Sequence, residues 1–402
     1  MRGIAAKIEK TRVQFLVSAG EASSDLYAAG VTRHLAAALP EAHFYGCAGP
    51  RLQAAGVEPV LDAREIAVVG LAEVVHHLPR IYLRYRALIR HIEKHPPVAA
   101  LLTDSPDFHL RLARHLHRLG VPVFYLVAPQ VWAWREGRVA TIRRLVDKLF
   151  CLFPFEEPWF RERGVDASYI GHPLASMVRP QYSRAEFLAR HGIRGDRPLV
   201  TLLPGSRAGE ARRHLPVLLE AAALLEGDVG PRFLLATPKG FESHSVLQSF
   251  REPLAARSIK VVENEAWDAI AHADVALAAS GTVTIEAAVL GTPMVTFYKV
   301  NPLSWHAGRR LVKVPYLSMV NLVAGRKIVP ELIQQEMTAA NIAAAASELL
   351  TNPDAAAGMR RELAEVRGAL SSQGDPLRRA AEMILASAPL RRETIAGPDR
   401  RE

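Results

Sequence analysis

From residue 13 onward, short runs of apolar, β-branched or aromatic residues alternate with longer amphipathic stretches. This alternation is typical of βαβ units and a parallel sheet. It pauses through Gly171-His172-Pro173 and Arg179-Pro180-Gln181, and it restarts with an apolar run at Pro198. The pattern predicts strands at Val13–Ser18, His43–Cys47, Val98–Thr103, Val121–Val127, Lys148–Phe153, Pro198–Leu203, Pro231–Ala236, Ile259–Val262, Val275–Ala279 and Pro293–Tyr298.

Helices are predicted at Asp25–Leu39, Leu71–Lys94 and Asp107–Leu119, and everything past Pro330 is expected to be helical. The fold class is therefore α/β, with two doubly wound, Rossmann-like domains facing a cleft, since open sheets of this type bind ligands outside the carboxyl ends of their strands. We place the N-terminal domain at residues 1–185 and the C-terminal domain at 186–365. Residues 366–402 are expected to carry a helix that crosses back or is exchanged, followed by a frayed polar tail.

Composition narrows the class of protein. With 402 residues, 49% hydrophobic and 23% charged, the chain is long enough for two cores, and disordered, collagen-like and disulfide-scaffold classes are excluded. Cys47 and Cys151 predict buried thiols in a reduced, cytoplasmic protein. The net charge of +9 leaves nucleic acid or an anionic membrane as partner. The aromatic residues do not interleave with the arginines and no reader motif is present, which argues against nucleic acid.

Residues 65–95 combine apolar positions with Arg80, Arg84, Arg86, Arg90 and Lys94. A basic amphipathic stretch of this kind predicts peripheral contact with an anionic bilayer. The alternative is an ordinary core-facing helix with a solvated basic face. No segment reaches the run of about 18 uninterrupted apolar residues that is needed to span a membrane.

Two segments of the C-terminal domain indicate a nucleotide site. Gly205, Ser206 and Arg207 form a turn between a strand and a helix, where the glycine permits a close backbone approach and the helix start presents N–H groups to a phosphate. Arg207 adds a guanidinium suited to phosphate oxygens. The turn is not a Walker A loop, and a plain strand-to-helix turn is the alternative.

The second segment is Ser280-Gly281-Thr282, which again opens a helix after a strand. Glu286 follows within an apolar stretch, where an unpartnered charge is costly, and its carboxylate is suited to accept hydrogen bonds from ribose hydroxyls. The two segments together resemble sugar-nucleotide glycosyltransferases of the GT-B fold. That resemblance implies UDP, whereas the spacing alone indicates only a nucleotide.

The N-terminal domain carries carboxylates at two strand ends. Glu21 and Ser23 follow the first strand, and Asp104 and Asp107 follow a later one. Such positions point into a ligand crevice, where general acids and bases belong. Local structure offers a plainer account, in which Ser105 caps a helix and Asp107 is stabilised in its first turn by the macrodipole.

Further segments extend the resemblance over about residues 13–385. They are Tyr125–Arg135 with Trp132 and Trp134, Phe153–Glu156, Ile170–Pro173 and Asn321–Arg326. With the turns above, the chain resembles the lipid-A-disaccharide synthase family. Two positions depart from the family pattern, Ser24 where glycine is usual and His109 where asparagine is frequent.

The resemblance implies an inverting transfer of 2,3-diacylglucosamine from UDP to the 6-hydroxyl of 2,3-diacylglucosamine 1-phosphate (lipid X), without metal or other cofactor. It implies catalytic roles for Asp107 as the base, Arg207 and Glu21. The UDP-sugar is expected to contact Gly205, Ser206, Arg207, Ser280, Gly281, Thr282, Glu286 and Asn321. The acceptor side is expected to comprise Ser23, Asp104, His109, Trp132 and Trp134.

The implied partners are these two lipids and the anionic inner-membrane surface, with a homodimer as a further expectation. Two other kinds of function compete with this interpretation. One is a different GT-B enzyme, such as a peptidoglycan N-acetylglucosaminyltransferase or a UDP-sugar epimerase. The other is a non-enzymatic nucleotide-sugar sensor, which would dispense with the carboxylates of the first domain.

Overall fold

The computed structural model describes residues 13–63, 71–301, 305 and 314–386. Its contacts divide the chain into two units. The first comprises Met1–Val131, Arg135–Pro173 and Ser372–Glu402, and the second comprises Trp132–Trp134 and Leu174–Ser371. The domain boundaries inferred from the sequence, at 185 and 365, remain predictions. The predicted frayed tail and the beginning of the basic stretch, residues 65–70, lie outside the described residues.

In the described part of the first unit, a seven-stranded parallel sheet has the order β3-β2-β1-β4-β5-β6-β7. The central strands are buried almost throughout, because helices cover a parallel sheet on both faces. The strands are β1 Gln14–Ala19, β2 His43–Ala48, β3 Val57–Asp62, β4 Ala99–Thr103, β5 Val123–Leu126, β6 Lys148–Cys151 and β7 Ala167–Tyr169.

The helices of this unit connect successive strands. They are α1 Ala22–Ala38, α2 Pro50–Ala54, α3 Leu71–Lys94, α4 Pro106–Arg118, α6 Val139–Leu145 and α7 Glu156–Arg161. Between α4 and α6 lie the short helix α5 Val131–Trp134 and a 3-10 turn at Glu136–Arg138.

The second unit has a six-stranded parallel sheet over its described residues, in the order β10-β9-β8-β11-β12-β13. Its strands are β8 Leu199–Leu203, β9 Arg232–Thr237, β10 Lys260–Glu263, β11 Val275–Ala279, β12 Met294–Tyr298 and β13 Glu331–Ile333. Its helices are α8 Leu174–Met177, α9 Arg184–Arg190, α10 Ala208–Asp228, α11 Ser245–Gln248, α12 Arg251–Ala256, α13 Ala266–Ala271, α14 Thr282–Leu290, α15 Met319–Ala324, α16 Ala339–Thr351 and α17 Pro353–Leu370.

The last described helix, α18 Pro376–Leu385, belongs to the first unit and packs on α1. Gly30 of α1 is the point of close approach, since a Cβ there would come within 2.3 Å of Leu377 Cδ1. His34 on the same helix is 2.9 Å from the carboxylate of Asp375. Residues 372–386 thus return to the first unit after the second has been traversed.

The predicted α/β class is confirmed, and three strands are missing from the prediction. These are β3, β7 and β13, and β13 contradicts the expectation that everything past Pro330 is helical. All three lie at the edge of a sheet. β3 and β13 are exposed or half-buried at most of their positions, so their apolar pattern is weak, and β3 contains Pro59, which edge positions tolerate. β7 is buried at two of its three positions but is too short to show a pattern. Over the described residues, no helix combines the length and the apolar character needed to cross a bilayer.

Candidate active site

Each sheet brings two strand-to-helix turns together at its carboxyl edge. In the first unit, β1 and β4 are neighbours, with Ala19 opposite Thr103. After β1 the chain continues to β2 on one side of the sheet, and after β4 it continues to β5 on the other side. The position between β1 and β4 is therefore the topological switch point. Ligands of doubly wound sheets bind at such points. The turns that carry Glu21 and Asp107 therefore lie side by side.

The turn after β1 begins helix α1, with Glu21 at the N-cap position and exposed. Ser24 is buried one turn later, and its hydroxyl accepts from the Glu21 N–H at 2.8 Å and lies 2.8 Å from the Glu21 carbonyl. The departure from glycine at position 24 thus fits the helix start. Gly20 has no room for a side chain, because a Cβ there would lie 2.2 Å from Ser105 Oγ. The two turns are in contact at this point.

The turn after β4 has a left-handed backbone at Asp104 and Ser105, with φ of 56° and 46°. Ser105 occupies the N-cap of α4, but its hydroxyl makes no capping hydrogen bond there, which corrects the local prediction. Pro106 follows in the first turn, and Asp107 is the first-turn acid as expected. Non-glycine residues in this conformation persist only when their surroundings hold them.

His109 supplies that support from within the core. Its imidazole is fully buried, with Nδ1 2.6 Å from the Asp104 carbonyl and Nε2 2.7 Å from Ser18 Oγ. The Tyr125 hydroxyl donates to the same carbonyl at 2.5 Å. Burial lowers the pKa of His109 to about 4, so the neutral ring donates from Nδ1 and accepts from the Ser18 hydroxyl. An enclosed ring reaches no ligand, and His109 therefore holds the turn instead of contacting the acceptor.

Asp107 projects to the surface, with 70% of its side chain exposed. Its carboxylate contacts two guanidinium groups, from Arg138 and from Arg135, whose Nη1 is 3.4 Å from both oxygens. Sequence reasoning assigned no role to either arginine, because only the fold brings residues 135–138 to the start of α4.

The remaining acceptor-side residues are placed as follows. Asp104 is half-buried in the turn, and Ser23 is half-buried in the first turn of α1. On α5, Trp132 is half-buried and Trp134 is 44% exposed. By their contacts both tryptophans group with the second unit. Asp25, one residue past Ser24, is structural, since its buried carboxylate accepts the N–H groups of Gly49 and Arg51 at 2.8 Å.

The second unit repeats this arrangement at its own switch point. Strands β8 and β11 are neighbours, with Leu203 opposite Ala278, so the turn at Gly205–Arg207 lies beside the turn at Ser280–Thr282. Each turn leads into a helix, α10 or α14, whose first N–H groups lack intrahelical acceptors. Two helix starts at one sheet edge make a site suited to a diphosphate.

Gly205 has a φ of 107° and no space for a side chain, because a Cβ would lie 2.4 Å from Glu210 Oε2. Ser206 and Arg207 are exposed. Glu210 lies beneath the turn, with Oε1 3.8 Å from Arg207 Nη1 and 3.1 Å from the Tyr298 hydroxyl. No local sequence pattern pointed to Glu210, whose carboxylate holds the turn and orients Arg207.

A second buried histidine supports this turn from α10. His214 Nδ1 lies 2.7 Å from the carbonyl of Pro204. Burial lowers the pKa of His214, so its Nδ1–H donates to that carbonyl. The arrangement parallels His109, since in both units a neutral imidazole from the following helix fixes a backbone carbonyl of a strand-to-helix turn.

In the second turn, Gly281 and Thr282 are exposed, and the Ser280 hydroxyl lies 3.2 Å from the Leu317 carbonyl. Glu286 sits farther along α14, partly buried, and burial raises its pKa, while a hydrogen bond from Trp267 lowers it by less. A partly buried carboxylate with an indole N–H donor is held in one orientation.

Asn321 is fully buried and its amide is saturated. It donates to the Val329 carbonyl at 3.0 Å and to Glu331 Oε1 at 2.7 Å, and it accepts from the N–H groups of Ile328 and Val329. Its side chain therefore fixes the loop before β13 and does not reach a ligand. Among the described residues, no group of three or more His, Cys, Asp or Glu side chains is placed to hold a metal ion.

Solved structures with the same architecture define the class. The chain is similar to UDP-GlcNAc 2-epimerase from Neisseria meningitidis bound to UDP-GlcNAc, with a TM-score of 0.59 and 13% identity over 93% of this chain and 98% of that one. It is also similar to CalG4, the calicheamicin glycosyltransferase, with a TM-score of 0.55 and 17% identity over 96% and 99% of the two chains. The fold is that of the GT-B glycosyltransferases and epimerases.

Sequence comparison then gives the family. The family model described as Lipid-A-disaccharide synthetase matches residues 15–380. The lipid-A-disaccharide synthase of Solibacter usitatus is 53% identical over 371 residues, which cover 92% of this chain and 96% of that protein. That of Geobacter metallireducens is 43% identical, over 89% and 93% of the two chains. The chain belongs to the lipid-A-disaccharide synthase family, and it is a glycosyltransferase of lipid A biosynthesis, which confirms the predicted resemblance.

Proposed function

We propose that the chain transfers 2,3-diacylglucosamine from UDP to the 6-hydroxyl of 2,3-diacylglucosamine 1-phosphate, with inversion at the transferred anomeric carbon. The observation that carries the proposal is the pair of switch-point sites on a chain of this family, one presenting Asp107 and the other Arg207. We assign the acceptor to the first unit and the UDP-sugar to the second, following the predicted domains 1–185 and 186–365. The products are the β-1,6-linked disaccharide 1-phosphate and UDP.

In this reaction the acceptor oxygen O6 attacks C1 of the donor sugar while the bond from C1 to the UDP oxygen breaks. The proton of the 6-hydroxyl passes to the carboxylate of Asp107, which is exposed at the start of α4. The negative charge that develops on UDP is stabilised by Arg207 and by the backbone N–H groups at the starts of α10 and α14. The protein groups named here balance both the proton and the charge, so the proposal requires no metal. Glu21 lies at the adjacent turn and is proposed to orient the acceptor.

A direct assay tests the proposal. The purified chain is incubated with the defined diacyl UDP-glucosamine and diacylglucosamine 1-phosphate, and the tetraacyl disaccharide phosphate and UDP are detected by mass. Formation of both products in equal amounts supports the proposal, and nuclear magnetic resonance of the new linkage reports its β configuration. Release of UDP without disaccharide, or epimerisation of the donor, contradicts it.

Glu286 gives a pH-dependent test of the nucleotide site. We propose that its carboxylate accepts the ribose hydroxyls, and burial raises its pKa above the usual value. Protonation reduces the acceptor capacity of the carboxyl group, so UDP affinity should fall as the pH decreases toward that raised pKa and be restored above it. Calorimetric titration with UDP from neutral pH toward pH 5 measures the effect.

The matched control is Glu286→Gln, which keeps the shape of the side chain and cannot ionise. Its UDP affinity should be lower at neutral pH and should depend less on pH than that of the wild type. Ionisation of UDP itself contributes equally to both proteins. Identical pH slopes for the two proteins would remove Glu286 from the ribose contact.

We further propose that the chain is cytoplasmic and binds the inner-membrane surface peripherally, because both substrates are lipids. Tyr82 and Leu83 on α3 are 59% and 62% exposed. Beside them, a groove of about 360 Å³ runs between α3 and α4. Its basic lining residues are Arg86, Arg90, Arg111, Arg114 and Arg118. Exposed apolar side chains next to a concentration of arginines suit the interface of an anionic bilayer.

We expect the protein to float with phosphatidylglycerol-containing vesicles at low salt and to be released at high salt, since exposed charges are screened. Vesicles of phosphatidylcholine alone should bind less. The double substitution Arg86→Ala and Arg90→Ala should weaken flotation, whereas the double substitution Arg360→Ala and Arg361→Ala, at two exposed positions of the second unit, removes the same charge and serves as the control. Absence of flotation at low salt would argue against the membrane contact. It would not bear on the proposed glycosyl transfer.

A further inference from the structure

The carboxylate of Asp107 is shared by two cations. Arg138 contacts Oδ1 through Nη2, and Arg135 lies 3.4 Å from both oxygens through Nη1. Two guanidinium groups therefore contact one carboxylate at the start of α4. The side chains are 39% exposed for Arg135 and 28% exposed for Arg138, so an incoming anion has access to both.

The acid next to Arg135 in sequence is engaged elsewhere. Glu136, next to Arg135 in sequence, is paired with Arg163, whose Nε lies 3.0 Å from Glu136 Oε1. Within the described part of the chain, Asp107 is the carboxylate that forms an ion pair with Arg138. A guanidinium has five N–H donors in a planar fork, and Arg138 meets Asp107 through Nη2. Because the contact with Asp107 holds the Arg138 guanidinium in place, it also sets the direction of the other N–H donors of that group.

A phosphate monoester fits such a pair of arginines better than a carboxylate does. It carries a charge of about −1.5 to −2 near neutral pH and three strong acceptor oxygens, and guanidinium groups bind it through two parallel hydrogen bonds. The acceptor in the proposed reaction carries one such group on C1. The ring oxygen of this sugar joins C1 to C5, and C5 bears C6, so a phosphate on C1 and a hydroxyl on C6 lie toward the same edge of the molecule.

We propose that Arg138, together with Arg135, binds the C1 phosphate of the acceptor and thereby gives up its contacts with Asp107. This inference deepens the proposed function and rests on it. Before the acceptor arrives, both oxygens of Asp107 accept guanidinium N–H groups, with two such contacts on Oδ1 and one on Oδ2. When the phosphate takes those donors, the carboxylate becomes available to accept the proton of the 6-hydroxyl, and the phosphate itself undergoes no bond change. The pair of arginines thus makes deprotonation depend on a phosphorylated acceptor.

The test compares two acceptors, 2,3-diacylglucosamine 1-phosphate and the same sugar with a hydroxyl at C1. We expect Arg138→Ala to lower kcat/KM for the phosphorylated acceptor by about ten- to hundredfold, the range of a hydrogen bond to a charged group. For the unphosphorylated acceptor, the variant should have the kcat/KM of the wild type or a higher one, because Arg138 no longer occupies the carboxylate of Asp107. Discrimination between the acceptors therefore falls. If the unphosphorylated sugar is not turned over, its inhibition constant gives the same comparison.

Arg144→Ala on α6 removes an equal, exposed charge from the same unit and should preserve discrimination. An unchanged KM for the UDP-sugar donor shows that Arg138→Ala is folded, and Arg138→Gln replaces it if the alanine variant is unstable. If Arg138→Ala leaves the ratio of kcat/KM for the two acceptors unchanged, the proposed phosphate site is wrong. A wild type that forms no disaccharide with either acceptor would instead contradict the proposed function, so the two failures are distinguishable.

Discussion

Asp107→Ala is expected to lower turnover by about 10² to 10⁴, the usual contribution of a general base, while UDP-sugar affinity stays within the error of the measurement. The side chain is 70% exposed at the start of α4, and its removal leaves the buried frame of His109, Ser18 and Tyr125 intact. Its loss should therefore affect the proton transfer and not the fold. Steady-state rates with both substrates, together with calorimetric titration of UDP, separate the two quantities.

A matched control for this prediction is Glu136→Ala, which removes another carboxylate of the first unit, one paired with Arg163. That variant should keep near wild-type turnover. Asp107→Asn is informative as well, because it preserves the shape of the side chain and cannot take the proton, so it should be as inactive as Asp107→Ala. Near-normal turnover by the alanine variant would remove Asp107 as the base.

The second large effect concerns Arg207, whose loss should impair both UDP binding and turnover. We expect Arg207→Ala to weaken UDP affinity by about 1.5–3 kcal/mol, or about ten- to hundredfold in Kd, as for a hydrogen bond to a charged group. The fall in kcat/KM should be larger, since charge on the departing UDP grows in the transition state. Calorimetry with UDP and initial rates measure the two effects.

The neighbouring carboxylate of Glu210 affects how the result of Arg207→Ala is interpreted. Its carboxylate lies 3.8 Å from Arg207, and without the guanidinium it would repel a diphosphate. The double variant Arg207→Ala with Glu210→Gln removes that repulsion and isolates the loss of the cation. Arg212→Ala, an exposed arginine on the same helix, is the charge control and should bind UDP normally. Unaltered UDP affinity in the double variant would exclude Arg207 from the nucleotide site.

The sequence predicted the central strands well because their signal is strong. Residues 275–279 were predicted and observed as the same strand, and the helix at 71–94 also agrees at both ends. Central strands are buried on both faces and read as continuous apolar runs. β3 is exposed or half-buried at most of its positions and β7 has only three residues, so neither shows such a run.

The sequence predicted where the turns of the candidate site lie, but not which side chains form hydrogen bonds with one another. A glycine or a proline identifies a strand-to-helix turn locally, which placed Gly205 and Asp107 correctly at turns of the fold. The partner of a side chain depends on tertiary structure instead. Ser18 and His109 are 91 positions apart, and nothing in the local sequence distinguishes a buried asparagine such as Asn321 from one that contacts a ligand.

The return of α18 to α1 has a consequence for biosynthesis. A ribosome releases Gly30 long before Leu377, and the whole of Leu174–Ser371 is synthesised in between. At the usual rates of elongation, about 200 residues take roughly 10 to 40 s. During that interval the nascent first unit carries α1 with the face around Gly30 uncovered, a surface open to chaperones. Translation must therefore proceed through the whole second unit before the first unit gains its final helix.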